Sequence, residues 1–208
     1  MFYSIIRGIV FALIYLINGI PRSYNKEQLP KGNYILVAPH RTWFDPVLYA
    51  MAASPKKFAF MAKQELFKNK FLSWLITSLN AFPVDRQHPG PSAIKIPVKL
   101  LKNSNLSTII FPSGTRHSEE LKSGAFVIAK LAGVPIVPAV YQGPLTFKSL
   151  FSRRKIKIAF GKPIQIDKKM RMNEENLATL ESQLNAEFIS LDREIDPAFK
   201  YVDVSSKK

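Results

Sequence analysis

Apolar residues dominate the first twenty positions of the chain and then give way to shorter apolar runs. Between residues 2 and 20, the polar side chains of Ser4, Arg7, Tyr15 and Asn18 recur at helical spacing and form one narrow stripe. A helix of this length measures about 28 Å, barely the thickness of the hydrocarbon core of a bilayer. The pattern favours a helix lying in the membrane interface. A membrane span and a helix packed only on its own protein are the alternatives.

The rest of the chain alternates between short apolar runs and amphipathic stretches. The apolar runs predict strands at 34–38, 57–62, 81–84, 107–111, 135–141 and 156–160. The amphipathic stretches predict helices at 45–53, 65–80, 93–102, 124–131 and 173–195. In the last of these, leucines at helical spacing make one stripe, and Asn173 is placed to cap the helix.

This alternation predicts a single α/β domain. We expect a central, mostly parallel or mixed sheet flanked by helices, with an apolar N-terminal membrane-associating helix. The expected boundaries are a membrane-associating helix at 1–20, a linker at 21–32, the catalytic domain at 33–200 and a tail at 201–208.

Charge narrows the range of partners. The 208 residues include 30 Lys and Arg against 15 Asp and Glu, a formal net charge of +15. Such a balance attracts nucleic acid, an anionic membrane or phosphorylated substrates. Cys is absent and only 3 His are present, so neither a disulfide framework nor a multi-histidine metal site is expected.

Two loops that follow predicted strands carry candidate chemistry. The carboxyl ends of strands are where ligands bind in open α/β sheets. In the first loop, His40 can accept a proton and Asp45 can orient its ring, although such a pair can also be purely structural. Asp45 is also expected to cap the helix that begins at Pro46. Ser113 lies in a Pro-Ser-Gly context, so a Ser–His arrangement stays open even though no Gly-x-Ser-x-Gly elbow exists.

The second loop predicts an anion site. Arg116 follows Gly114 and Thr115, and a guanidinium offers forked donors that match phosphate oxygens. Backbone N–H groups around Gly114 can add an anion nest. Arg86 and Lys63 are further cations at strand ends. A tight turn with a solvated arginine is the alternative.

Five segments together resemble the glycerolipid acyltransferases, the family of the 1-acylglycerol-3-phosphate acyltransferases. His40 to Asp45 resembles their His-x4-Asp motif, and the segment 80–86 resembles their second block. The segment 111–116 resembles their Phe-Pro-Glu-Gly-Thr-Arg block, with Ser113 in place of Glu. The segments 134–139 and 63–66 resemble two further blocks, in the family's order and spacing.

The resemblance implies a reaction and roles for these residues. His40 would be the general base for the acceptor hydroxyl, held by Asp45, and the hydroxyl would attack an acyl thioester directly. Arg116 and Arg86, with Lys63, would hold the acceptor phosphate.

The resemblance also implies supporting residues, substrates and a location. Ser113 and Pro138 would support the acyl or acceptor site. The product would be phosphatidic acid, the donor acyl-CoA or acyl carrier protein, and the partner a lipid bilayer. No metal or other cofactor is implied. Basic residues at 22, 26 and 31 favour the cytoplasmic side of the membrane.

Three other readings compete. An acyltransferase with a different lysophospholipid acceptor is suggested by Ser113. A nucleic-acid-binding protein is suggested by the net charge, but no recognition helix, zinc finger or aromatic RNA-binding motif is present, so nucleic acid is not an expected partner. A structural membrane protein would leave His40, Asp45 and Arg116 unexplained.

Overall fold

A computed structural model describes residues 2–85, 88, 90–112, 118–152 and 154–201, with the side chains of 118–122 excepted. Within these residues, strands form one sheet in the order β1-β7-β6-β2-β5-β3-β4. Their bounds are β1 (Arg22–Tyr24), β2 (Ile35–Val37), β3 (Lys57–Lys63), β4 (Ala81–Val84), β5 (Leu106–Ile110), β6 (Ile136–Gln142) and β7 (Lys157–Phe160). All neighbouring strands are parallel except β6 and β7. The predicted mixed sheet of an α/β domain is therefore confirmed.

Helices cover both faces of this sheet. They are α1 (Phe2–Asn18), α2 (Asp45–Ala52), α3 (Lys70–Ser78), α4 (Ser92–Asn103), α5 (Ser118–Ala132), α6 (Phe147–Leu150) and α7 (Glu174–Ile195). The strand β2 is buried on both sides, because Tyr34, Leu36 and Ala38 pack with α2 while Ile35 and Val37 pack with α4, α5 and α7. A parallel strand covered on both faces reads as an unbroken apolar run, which is why the sequence at 34–38 predicts it correctly.

The long helix α7 follows the sequence prediction closely. Its leucine stripe is buried at Leu180, Leu184 and Leu191. The side chain of Asn173 accepts a hydrogen bond from the backbone N–H of Asn176 at 3.0 Å and caps the helix. This helix spans the sheet and brings its last turn to β6.

Several segments differ from the sequence prediction, since α5 begins six residues earlier than predicted and α6 lies in a predicted loop. The segment 21–32 contains β1, which pairs in parallel with β7, although three residues without an apolar pattern gave no strand prediction. The segment 65–80 is not one helix: a 3-10 helix at Gln64–Phe67 is followed by α3. The side chain of Asn69 accepts from the backbone N–H of Leu72 at 3.0 Å, and this cap starts a new helix.

Two residues of the polar stripe of α1, Arg7 and Asn18, contact the protein, whereas Ser4 and Tyr15 are exposed. Arg7 Nη1 donates to the backbone oxygen of Lys56 at 2.8 Å, and Asn18 Nδ2 donates to the backbone oxygens of Leu150 and Arg154 at 2.9 and 2.8 Å. The outward side is apolar, as Leu16 shows with 77% of its surface exposed. An outward apolar face of this size is unusual for a helix that contacts only water.

A bilayer span was one alternative for α1. In the described part of the chain, no helix combines the length and the hydropathy that crossing a membrane requires.

Candidate active site

The candidate loops meet at the carboxyl edge of the sheet. His40 follows β2 and Phe111 follows β5, and these two strands are parallel neighbours. The rings of His40 and Phe111 lie 4.8 Å apart between centroids. Sequence reasoning placed both loops at strand ends, and the strand order brings His40 of the first into contact with Phe111 at the start of the second.

His40 and Asp45 form a side-chain pair across the turn. His40 Nδ1 lies 3.2 Å from Asp45 Oδ2, with the Asp45 side chain fully buried and the His40 side chain 32% exposed. When Nδ1 is the protonated ring nitrogen, its N–H donates a hydrogen bond to the carboxylate, and Nε2 has a free lone pair. The ring is then oriented as a base whose other edge is open to a substrate.

Asp45 also shapes the loop itself. Its Oδ2 accepts hydrogen bonds from the backbone N–H groups of Arg41 at 2.6 Å and Thr42 at 2.8 Å. The sequence prediction of Asp45 as the helix cap is therefore wrong in detail, because Phe44 is the N-cap and Asp45 is the first helical residue. The carboxylate turns back into the loop, where backbone donors stabilise its charge and hold the chain near the ring.

A buried tyrosine lies in the electrostatic field of this carboxylate. Burial raises the pKa of the Tyr49 hydroxyl well above its usual value, and the negative charge of Asp45 raises it further. Asp45 Oδ1 and the Tyr49 hydroxyl are both buried and have no hydrogen-bond partner among the described residues. Tyr49 therefore stays a neutral phenol beneath the loop, and its ring lies 6.0 Å from that of Phe111.

Sequence reasoning missed the ion pair that fixes the other side of the loop. Arg41 donates from Nη1 to Asp192 Oδ1 at 2.8 Å and from Nη2 to Asp192 Oδ2, a forked arrangement. Burial disfavours the charged guanidinium, but the hydrogen bonds and the charge of Asp192 outweigh it and raise the pKa of Arg41. The two residues are 151 positions apart, and no sequence pattern joins them.

Neighbouring groups make further contacts with Arg41 and Asp192. Arg41 Nη1 also donates to the backbone oxygen of Tyr141 at 2.5 Å, and Gln142 Nε2 donates to the backbone oxygen of Asp192 at 2.8 Å. The guanidinium carbon of Arg41 lies 4.9 Å from the ring centre of Phe199 and 5.5 Å from that of Tyr201. The loop of His40 is thus attached to β6, to the end of α7 and to the segment after it.

The other predicted site residues divide into two groups. Lys63 is the last residue of β3 and is exposed at the same sheet edge as His40, and Pro138 is buried in β6, paired with Val37. Arg86, Ser113, Gly114, Thr115 and Arg116 lie outside the described residues. Among the residues that are described, no three His, Asp or Glu side chains are grouped as a metal site. The predicted roles of all these residues stay predictions.

Comparisons with known proteins match the part of the chain that contains His40 and Asp45. The family model described as acyltransferase matches residues 21–142. A 1-acyl-sn-glycerol-3-phosphate acyltransferase of Streptococcus pneumoniae is 49% identical over 196 residues, which cover 93% of this chain and 74% of that protein. One of Bacillus subtilis, with the same name, is 40% identical over 188 residues, which cover 88% of this chain and 94% of that protein.

A solved structure shares the fold. The crystal structure of a 1-acyl-sn-glycerophosphate (LPA) acyltransferase from Thermotoga maritima aligns with a TM-score of 0.60 at 24% identity, covering 93% of this chain and 83% of that chain. The shared fold extends well beyond the segment 21–142.

The ion pair between Arg41 and Asp192 yields a prediction. Asp192→Asn should lower the free energy of unfolding by about 2–3 kcal/mol, because the buried guanidinium keeps its desolvation cost and loses its charge partner. Chemical denaturation measures this change.

Glu194→Gln is the matched control, since Glu194 lies on the same helix and its two carboxylate oxygens accept exposed hydrogen bonds from Asn25 Nδ2. Its effect should stay below about 1 kcal/mol. Equal stability of Asp192→Asn and the wild type would show that the pair does not anchor the loop.

Proposed function

Because the chain belongs to the acyltransferase family, we propose that it transfers a fatty acyl group from an acyl thioester to the free hydroxyl of 1-acylglycerol 3-phosphate, giving phosphatidic acid. Relatives that are 49% and 40% identical carry the name of this reaction. The observation that carries the proposal is the pairing of His40 with the fully buried Asp45 at the carboxyl edge of the sheet.

The proposed chemistry is a direct transfer with His40 as general base. Nε2 of His40 takes the proton of the acceptor hydroxyl as its oxygen attacks the thioester carbonyl carbon. The tetrahedral intermediate collapses by breaking the carbon–sulfur bond, and the leaving thiolate takes the proton from the imidazolium. The products are the ester and a free thiol, with no acyl-enzyme.

Asp45 supports this step without touching the substrate. Its carboxylate accepts from Nδ1 and stabilises the imidazolium that forms during the transfer. The backbone N–H groups of Arg41 and Thr42 hold that carboxylate in place. The ring is therefore oriented before the substrate arrives, which lowers the entropic cost of the reaction.

We assign the acceptor phosphate to the cations of the family-like blocks. Arg116, supported by Gly114 and Thr115, would hold the phosphate, with Arg86 and Lys63 as further cations. Lys63 ends β3, two strands away from His40 in the sheet order. Ser113 and Pro138 would support the acyl or acceptor site.

Two substrate choices are left to experiment. Ser113 cannot balance the charge of Arg116 as the family Glu does, and this feature favours testing a second lysophospholipid acceptor. Coenzyme A and acyl carrier protein are both acidic, and the net charge of +15 suits either as the acyl donor.

We further propose that α1 binds the membrane through its outward apolar side, with the catalytic domain on the cytoplasmic side. The helices at its two ends add to this surface, since the rings of Phe2 and Trp74 lie 5.7 Å apart and Asn18 bonds to the backbone of α6. The exposed apolar side chains of the three helices and of the C-cap of α6 include Ile5, Ile9, Leu13, Leu16, Phe71, Trp74, Phe147 and Phe151. Such a surface lets a lipid acceptor and product exchange with the bilayer.

The proposed units follow from this division. Residues 1–20 form the membrane-associating helix and 33–200 the acyltransferase domain, and the segment 21–32 joins them while contributing β1 to the sheet.

The base assignment is tested by His40→Gln. We expect kcat to fall by at least about 100-fold, because the amide cannot accept the hydroxyl proton. The assay follows phosphatidic acid formed from a labelled long-chain acyl thioester and lysophosphatidic acid. His88→Gln, the same change at an exposed histidine, should leave kcat within about twofold. Near-normal turnover by a folded His40→Gln protein would remove the base assignment.

The phosphate assignment is tested by Arg116→Ala. The KM for lysophosphatidic acid should rise about tenfold or more, since a charge-assisted contact to phosphate is lost. Arg171→Ala, at an exposed arginine, serves as the control. An unchanged KM in Arg116→Ala would leave Arg116 with a structural role and reopen the choice of acceptor.

Membrane binding is tested by Leu13→Glu with Leu16→Glu, both at exposed positions of α1. Binding to phosphatidylcholine vesicles should weaken about 100-fold or more, because two apolar side chains that enter the lipid become charged. Leu131→Glu with Ile189→Glu, also at exposed positions, is the matched control on α5 and α7. Equal vesicle binding by the two double variants would exclude α1 as the membrane contact.

A further inference from the structure

A cavity of about 590 Å³ opens near the amino-terminal ends of β2 and β3, whereas His40 lies at the carboxyl end of β2. Its polar lining is dominated by the lysines at positions 26, 31, 56 and 57, and no carboxylate lines it. The lysines come from two segments: Lys26 and Lys31 lie between β1 and β2, and Lys56 and Lys57 lie where the chain passes from the turn after α2 into β3. The fold therefore gathers positive charge from separate parts of the chain around one concave surface.

The four lysines have no carboxylate partner among the described residues. In the segments that the structure describes, no carboxylate lies within 4.0 Å of any of the four ammonium groups. Lys56 Nζ donates to Asn33 Oδ1 at 2.6 Å, a neutral acceptor that leaves its charge unbalanced. Partial burial lowers the pKa of Lys56, and an anion in the cavity would favour its charged form again. The chemistry of the cavity fits a multiply charged oxyanion.

The cavity is separate from the candidate active site. Tyr34 precedes β2 and Lys57 begins β3, while His40 follows β2 and Lys63 ends β3. At about 3.3 Å per residue, β3 alone separates its two ends by about 20 Å. A phosphate bound here cannot be the acceptor phosphate that reacts at His40.

The helix α1 does not line this cavity but contacts the turn that does. Arg7 Nη1 donates to the backbone oxygen of Pro55 at 3.3 Å and to that of Lys56 at 2.8 Å, so the lysine turn is attached to α1. On the same helix, the side chains of Ile5 and Ile9 point outward and are each 51% exposed. They lie two positions from Arg7, on the opposite side of α1, so a bilayer that contacts them would be about one helix diameter, roughly 10 Å, from the lysine turn.

We propose that this lysine cavity binds the phosphate headgroup of an anionic phospholipid in the bilayer that α1 contacts. The inference rests on the proposed membrane association of α1. The bound lipid would not react, but would add an electrostatic contact to the apolar one and orient the enzyme on the membrane. Enzyme would then collect where anionic lipid is abundant.

The test compares vesicles of phosphatidylcholine with vesicles that also contain phosphatidylglycerol, at about 0.15 M salt, where distant charges are screened. The wild type should prefer the anionic vesicles. Lys31→Gln with Lys57→Gln should lose about tenfold or more of that preference, since each basic residue near an anionic surface adds on the order of a fivefold gain in affinity. Its binding to phosphatidylcholine alone should not change.

Lys95→Gln with Lys99→Gln is the matched control, because it removes the same charge from exposed positions of α4. It should keep the anionic preference within about twofold. If both double variants lose the preference equally, net charge alone explains it and the cavity site is refuted.

Two additional arms separate the lipid from other anions. The first arm adds inorganic phosphate or glycerol 3-phosphate at millimolar concentration. If the added compound abolishes the preference for anionic vesicles, and if it binds the wild type but not Lys31→Gln with Lys57→Gln, the cavity is a site for a soluble phosphate. If that variant loses affinity for acyl carrier protein but keeps its preference for anionic vesicles, the cavity serves an acidic protein. Either result overturns the lipid assignment, and the absence of both supports it.

Failure of the proposed function gives a different result. The cavity variant should keep normal turnover on detergent-dispersed substrates, since none of its lysines is placed in the active site. If the wild type forms no phosphatidic acid, the proposed reaction is wrong, but the vesicle comparison still tests the cavity. Loss of binding to phosphatidylcholine in Leu13→Glu with Leu16→Glu, with the anionic increment retained, would support α1 and the cavity as separate contacts.

Discussion

The carboxylate of Asp45 has no exposure to solvent, and the chain itself has to supply the donors that stabilise its charge. It does so with two backbone N–H groups and the His40 ring, all within one tight loop. Those three contacts leave the loop little freedom, and they set both the position of the ring and the edge it presents. A neutral side chain of the same shape would keep some of the hydrogen bonds but would not stabilise an imidazolium.

The elements that could be predicted from the sequence are those whose own residues carry a clear apolar pattern. The strand at 34–38 and the helix α7 depend on unbroken or periodic apolar patterns, and both were predicted within a few residues. The strand β1 was not, because Arg22 to Tyr24 has no such pattern and is held by its neighbour β7. The pairing of His40 with Asp45 was also predictable, since both residues belong to one short motif.

What the sequence did not reveal depends on long-range packing. Asp192 is far from Arg41 in the chain, and only the crossing of α7 over the sheet brings them together. The same holds for the lysines of the cavity, which look like dispersed surface charge until the turn before β3 meets the segment before β2. The charge of Arg41 is balanced by a distant residue, and the charges of the cavity lysines are not. Composition gives only the net charge of the chain, so it shows neither arrangement.

The attachment of Arg41 to the far end of α7 has a consequence for the newly synthesised protein. The motif loop leaves the ribosome early, but the carboxylate that balances its arginine and the Phe199 ring that covers it are made about 150 residues later. Until then the guanidinium cannot be buried without an unpaired charge, which is strongly unfavourable. The loop of His40 can therefore reach its folded contacts only after α7 has been translated and has docked.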